Sequence, residues 1–251
     1  MTTLDILEKL FAKYNLNEND KEYFISIVKD IIEHDEFIKR TQGNYLHHEK
    51  IYLGEHILND AVVTYILGKK IVVELMKKHS LTMENVEKNL YDPKTAIIIA
   101  MFHDLYTLPW QNNKKNNYNK YFVNAHGFRH PIEAVINAYT WFPKLFEGRE
   151  DKVIDGIIHH MYPFPVRVID DKTLELKNDD NYKALPLSIK QKIVKSANRR
   201  KLGHLSICPC IYLEGKTVSK ADKIVSFRNE GHSIIGLLAC ITGKKTRLIS
   251  K

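Results

Sequence analysis

The stretch Asp92-Pro93-Lys94-Thr95-Ala96-Ile97-Ile98-Ile99-Ala100-Met101-Phe102-His103-Asp104 decides the fold. Asp92 can cap a helix, and Pro93 suits the first helical position. The run Ala96 to Phe102 has no polar face, so a helix there is buried on most sides. It ends on His103-Asp104. Aspartate is almost never buried unless it is paired or bound to a metal. A buried helix that carries a His-Asp pair into the core therefore points to chemistry at its end.

Helical periodicity continues on both sides of this segment. Leu7, Leu10, Phe11 and Tyr14 form one stripe, and Phe24, Ile27, Val28 and Ile31 repeat it. These helices, within residues 1–42, are expected to pack on a main domain covering residues 43–251. A third helix is expected from near Gly54 to His79, with Val62, Ile66, Val73 and Met76 inward. Another begins near His130-Pro131, with Ile132, Val135, Ile136 and Tyr139 on one face. The next carries Ile154, Ile157, Ile158 and Met161 and holds His159-His160 near its end. The pattern breaks between Pro163 and Pro186. There Val166 to Ile169 and Thr173 to Leu176, around Asp170-Asp171-Lys172, read as a β-hairpin. A basic helix is expected from Ser188 to Leu202. A last helix starts near Thr217, carries Asp222 and ends at Gly231. The expected class is all-α: a helical bundle with a β-hairpin and basic-helix insertion at residues 166–206.

The bulk properties fit a globular protein. Hydrophobic residues make up 44% of the 251 positions and charged residues 27%, enough for one sizeable core. The net charge of +8 favours anionic ligands at long range, although a Lys-rich solvated surface gives the same count. Three cysteines, Cys208, Cys210 and Cys240, make no disulfide framework, and Cys208-Pro209-Cys210 reads as two reduced, partly buried thiols. The longest apolar run is too short to span a bilayer, and Met1 leads directly into an amphipathic pattern rather than a signal peptide. A cytoplasmic protein with no membrane partner is expected.

The placement of the 12 histidines matters more than their number. His56 opens a helix, His103-Asp104 closes one, His126 and His130 flank the start of another, His159-His160 ends a fourth, and Asp222 sits on a fifth. Metal sites in helical proteins are built from such inward-facing side chains. Imidazole with carboxylate suits Mn, Fe, Ni, Zn or Co, and Mg also fits a carboxylate-containing site. Two ions about 3.5–4 Å apart can clamp a phosphate and activate water at neutral pH. Taken singly, each histidine is more often a core or surface residue; the His-Asp pair after a buried helix is what sets this chain apart.

The order His, His-Asp, His, His, Asp, each on its own helix, resembles the HD superfamily of metal-dependent phosphohydrolases. The strings FHDLYTLPWQ (102–111), HGFRHPIEA (126–134), HHMYP (159–163) and VSKADKI (218–224) are similar to a bacterial HD-domain family, over roughly His47 to Arg228. The resemblance implies that His56, His103, Asp104 and Asp222 ligate one ion. Asp104 would bridge to a second ion held by His130 and His160, and by His159 if the first His of that pair takes part. Both a His-Gly string (His126-Gly127) and a His-Pro string (His130-Pro131) are present. His130 is the preferred ligand, which leaves His126 a catalytic or substrate-binding role beside Asp104. The Gly-Tyr-Pro string of the cyclic di-GMP-cleaving branch is absent after His160, and the insertion after Pro165 is not a family feature.

The implied reaction is hydrolysis of a phosphoester or phosphoanhydride in a small phosphorylated or nucleotide-like substrate, by a metal-activated water. Arg129 is a candidate phosphate contact because guanidinium matches phosphate geometry. His48, Lys195 and Arg199 are further substrate-binding candidates, and His47-His48 together precede the first ligand. The basic helix either grips a polyanion as part of a lid or is one solvated face. The alternatives are a di-iron oxygenase on nearly the same ligands and a non-catalytic module that binds a nucleotide or nucleic acid. Nucleic acid is the less favoured partner, and homodimerisation is open.

Overall fold

The protein is described by a computed structural model that covers residues 2–43, 45–47, 51–106, 126–170 and 179–229. Among these residues are eleven α-helices and two small antiparallel sheets. The helices are α1 Thr3–Lys13, α2 Glu18–Ile32, α3 Asp35–Ile38, α4 Leu53–His79, α5 Met83–Asn89, α6 Pro93–Phe102, α7 His126–Trp141, α8 Glu150–His159, α9 Asp180–Ala184, α10 Leu187–Ala197 and α11 Leu213–Ile224. No described helix is long and apolar enough to cross a membrane.

Helix α6 is the axis of the molecule. Every residue from Thr95 to Phe102 is buried, as expected for a helix apolar all round. Asp92 Oδ1 accepts the Lys94 amide at 3.0 Å and Pro93 takes the first turn. Helices α2, α4, α7, α8 and α11 all pack on α6. Helices α1 and α2 contribute Ile6, Leu7, Phe11, Phe24, Val28 and Ile31 to the same core as Ile97 to Phe102, so the N-terminal segment is part of one hydrophobic body. Tyr14 is tied to α4 through its hydroxyl, which donates to Asn59 Oδ1 at 2.8 Å.

Helix α4 has 27 residues and is about 40 Å long. Its first half is buried on nearly every side. Its second half packs on α5, Tyr91, Ala96 of α6 and Leu213 of α11, which turns the buried face. Val72 is therefore the buried valine, and Val73, expected inward, is 46% exposed. Helices α8 and α11 approach so closely that a Cβ on Gly215 would lie 2.8 Å from the Gly156 Cα. Only glycine at that crossing lets the helix that carries Asp222 sit against the one that ends at His160.

Several boundaries differ from expectation. Helix α7 already runs at His126, with Pro131 inside it, so His126 and His130 stand one turn apart on one helix. Helix α11 starts at Leu213 rather than Thr217 and continues as a π-helical turn, Val225–Asn229; the end expected at Gly231 lies outside the described residues. The basic helix stops at Ala197, and Lys201–Leu202 is a strand. Strand Val166–Arg167 forms as expected and pairs with Leu205–Ser206, which in turn pairs with Lys201–Leu202; the expected partner at 173–176 lies outside the described residues. The β signal was local, but the pairing closes across the whole basic helix. A second pair, Leu46–His47 with Ile51–Tyr52, leads into α4.

Candidate metal centre

Five helices deliver the site, each near one end. His56 and Asp60 come from the first turns of α4, His103 and Asp104 from the end of α6, His130 from the start of α7, His160 from the end of α8 and Asp222 from the end of α11. All seven are buried, and His56, Asp60, His103 and His160 are fully so. His47, from the strand before α4, stacks its ring on His56 with centroids 3.7 Å apart.

Asp104 divides the cluster. Its Oδ1 lies 3.1 Å from His130 Nε2 and 3.6 Å from His160 Nε2. Its Oδ2 lies 3.8 Å from His56 Nε2, 3.9 Å from His103 Nε2 and 3.9 Å from His47 Nδ1. Asp60 Oδ2 stands 3.3 Å from His56 Nε2 and 3.1 Å from His103 Nε2, and Asp222 Oδ1 is 3.7 Å from His56 Nε2. Donors arranged around one ion at about 2.1 Å are separated by about 3.0 Å along octahedral edges and about 4.2 Å across a diagonal. The observed separations fall in that range.

Backbone carbonyls fix the ring orientations. Nδ1 of His103 meets Ala100 O at 2.7 Å, Nδ1 of His160 meets Ile157 O at 2.7 Å, and Nδ1 of His130 meets His126 O at 3.3 Å. A carbonyl only accepts, so each Nδ1 carries a proton, and in the neutral ring Nε2 is left with a lone pair for a metal. This is the arrangement that outer hydrogen bonds impose on metal-ligating histidines. His130 Nε2 and His160 Nε2 then face each other at 3.3 Å, lone pair to lone pair, which is repulsive unless positive charge lies between them. His103 Nε2 and Asp60 Oδ2 are 3.1 Å apart, but among the described residues no aligned N–H satisfies either Asp60 oxygen. A fully buried carboxylate in that condition is costly. The residues present fit divalent cations.

The electrostatics agree. Burial opposes ionisation of Asp104, but His103 and His130 hold its carboxyl well below the usual range. Burial opposes protonation of His103 too, yet Asp104 and Asp60 outweigh it and push its pKa up to about 9. Burial and the neighbouring His103 drive His160 well below the usual imidazole value. Burial, with Asp60 nearby, raises Asp222 to about 6. Asp60, Asp104 and Asp222 thus crowd negative charge into one buried space, which a divalent cation would offset.

The other candidates lie around or away from this cluster. His126 is half-buried, with its ring 4.6 Å from Tyr106 and 5.2 Å from His130, beside the second donor set. Arg129 lies on the same turn and pairs with Glu133 at 3.1 Å. His159, expected among the ligands, turns to the insertion instead: Nε2 meets Ser196 O at 3.1 Å and Nδ1 is 3.5 Å from Cys208 Sγ. Burial, then the charge of Arg199, lowers its pKa to about 4. Adjacent helical residues point about 100° apart, so His159 and His160 do not face one site. His48 lies outside the described residues. Asp60 was missed, although its spacing from His56 places the two on one helical face.

Arg199, expected to grip substrate, is an internal tie. It donates to Asp155, to the Pro209 carbonyl and, at 3.3 Å, to Cys208 Sγ. Asp155 also accepts the Ile211 amide at 2.7 Å. This network fastens the insertion to α8. Cys208 and Cys210 are free, buried thiols, and burial pushes Cys210 up to about 12. Ile189, Ile193 and Ala197 bury one face of α10 while Lys195 is exposed. Arg199→Ala strands the Asp155 carboxylate and is expected to cost about 3 kcal/mol, or about 6–12 °C in melting temperature at this chain length. Lys195→Glu should leave the melting temperature unchanged. A thermal melt of both variants checks this, and equal midpoints would contradict the anchoring role.

No family model matches the chain, and neither curated proteins nor solved structures contain a significant match.

Proposed function

We propose that this protein is a metal-dependent phosphohydrolase of the HD-domain kind, cleaving a phosphoester or phosphoanhydride of a small, nucleotide-like substrate. The observation that carries this reading is the division of Asp104: each carboxylate oxygen faces its own pair of imidazole Nε2 atoms. Asp104 is thereby poised to hold two cations side by side, with His56, His103 and Asp222 on one flank and His130 and His160 on the other. Divalent ions bound there supply Lewis acidity towards phosphoryl oxygens and a water activated at neutral pH. The chain contributes orientation and exclusion of bulk solvent, since the whole donor set is buried. In this reading His126, half-buried beside His130, moves a proton at the rim, and Arg129, on the same turn and paired with Glu133, contacts a phosphate. The positive net charge draws an anionic substrate towards the protein.

The test is metal analysis of the purified protein beside a phosphatase and phosphodiesterase screen with Mn, Mg, Ni and Co. Two equivalents of metal and metal-dependent phosphate release are expected. A protein that neither retains nor takes up metal would end the proposal, and bound iron with oxygen consumption but no phosphate release would transfer the site to oxygenase chemistry.

A further inference from the structure

Asp60 makes the two halves of the centre unequal. Among the described residues, the first half gathers at least five donors: His56 Nε2, Asp60 Oδ2, His103 Nε2, Asp222 Oδ1 and the shared Asp104 Oδ2, with His47 Nδ1 3.9 Å from that last oxygen. The second half has three: His130 Nε2, His160 Nε2 and the shared Asp104 Oδ1. Protein metal sites with a full set of protein donors hold their ion closed, whereas sites with three keep a position for water or substrate. Charge points the same way. Asp60 and Asp222 together neutralise a divalent ion in the first half. Among the described residues the second half has only its share of Asp104, so an ion there would keep positive charge for an anionic oxygen.

The competing role for Asp60 is a hydrogen-bond acceptor that merely orients His103 or His56. The hydrogen bonds argue against it. The His103 Nδ1 proton goes to Ala100 O, and Asp60 Oδ2 stands between two rings, 3.1 Å from His103 Nε2 and 3.3 Å from His56 Nε2, rather than on either alone. Among the described residues no aligned hydrogen bond reaches either Asp60 oxygen, although the side chain is fully buried and aimed between two imidazoles. An acceptor that orients a ring would be bonded to it; a ligand awaiting a cation would not.

We therefore infer that Asp60 is a protein ligand that closes the first half, so that its ion is retained, while the ion of the second half exchanges and is the one that takes a phosphate oxygen. This rests on the metal-centre reading above. The measurement is a titration of the metal-stripped full-length protein with Mn²⁺, followed by electron paramagnetic resonance, with and without inorganic phosphate. The unaltered protein should bind in two resolved steps, separated by at least the roughly ten- to hundredfold by which loss of one supporting group commonly lowers metal affinity. Inorganic phosphate should perturb only the weaker step. Asp60→Asn, which preserves shape, should weaken the tight step by about ten- to a hundredfold and leave the weaker one in place. His130→Ala should remove the weaker step alone. Two equal steps in the unaltered protein, or an unchanged tight step in Asp60→Asn with its fold intact by circular dichroism, would overturn this proposal alone. No Mn²⁺ binding by any form would overturn it together with the metal-centre reading.

Discussion

Asp104→Ala is expected to lose both ions and, with them, all measurable phosphate release. The carboxylate is the only described group with oxygens on both halves of the centre: Oδ1 faces His130 and His160, and Oδ2 faces His56 and His103. Removing it takes one donor from each half and also the charge that offsets cation–cation repulsion. Metal ions contribute several kcal/mol to phosphoryl-transfer barriers, so turnover should fall by at least about a thousandfold. His130→Ala should empty only the second half, and His126→Ala should leave metal content unchanged while slowing turnover. Elemental analysis of the three purified variants, paired with phosphate-release rates, checks the ordering. Full metal occupancy in Asp104→Ala would contradict the bridging role, and equal metal loss in His126→Ala and His130→Ala would make His126 a ligand.

Arg40→Met is expected to be the most destabilising single change outside the metal cluster. Arg40 is fully buried, which is rare for arginine. Its Nε donates to the Tyr106 carbonyl at 3.1 Å, a second guanidinium nitrogen donates to the same carbonyl, and the third reaches the Glu36 carbonyl. The guanidinium lies over the rings of Tyr45 and Trp141, 5.1 Å and 5.0 Å from their centroids. Asn137 Nδ2 donates to the neighbouring Leu105 carbonyl at 2.8 Å. Two buried donors thus clamp the two residues that follow Asp104, and the N-terminal segment supplies one of them. Met leaves the Tyr106 and Glu36 carbonyls without their donor, at about 1–3 kcal/mol each, and the melting temperature should fall by roughly 10 °C. Metal affinity should also weaken by about tenfold, as for other residues that hold ligands in place. Arg40→Lys should not rescue either property, because a point charge cannot reproduce a planar fork stacked on rings. Calorimetry and metal titration of both variants decide it; wild-type metal affinity in Arg40→Met would limit Arg40 to folding.

The residues that build the core were legible because their pattern is local. The apolar run of α6, its Asp-Pro start and the His-Asp end are contiguous, so burial and the site followed from one segment. The site was legible where a polar residue sits against a helical apolar pattern, as at His103, Asp104, His160 and Asp222. Asp60 was not, because it lies among residues that read as an ordinary continuation of α4, and only its burial without hydrogen bonds sets it apart. Arg199 looked like part of a basic face because the sequence cannot show that Asp155, 44 positions earlier, lies against it. The strand partner of Val166–Arg167 was missed for the same reason: the pairing closes across a helix, and hairpin reasoning considers only nearby segments.

Crystals of the protein grown with Mn²⁺ and measured at the manganese absorption edge test the central claim most directly. The account predicts two anomalous peaks about 3.5–4 Å apart, one on each side of the Asp104 carboxylate, the first among His56, Asp60, His103 and Asp222 and the second at His130 and His160. A single peak, or two peaks that do not share Asp104, would contradict it.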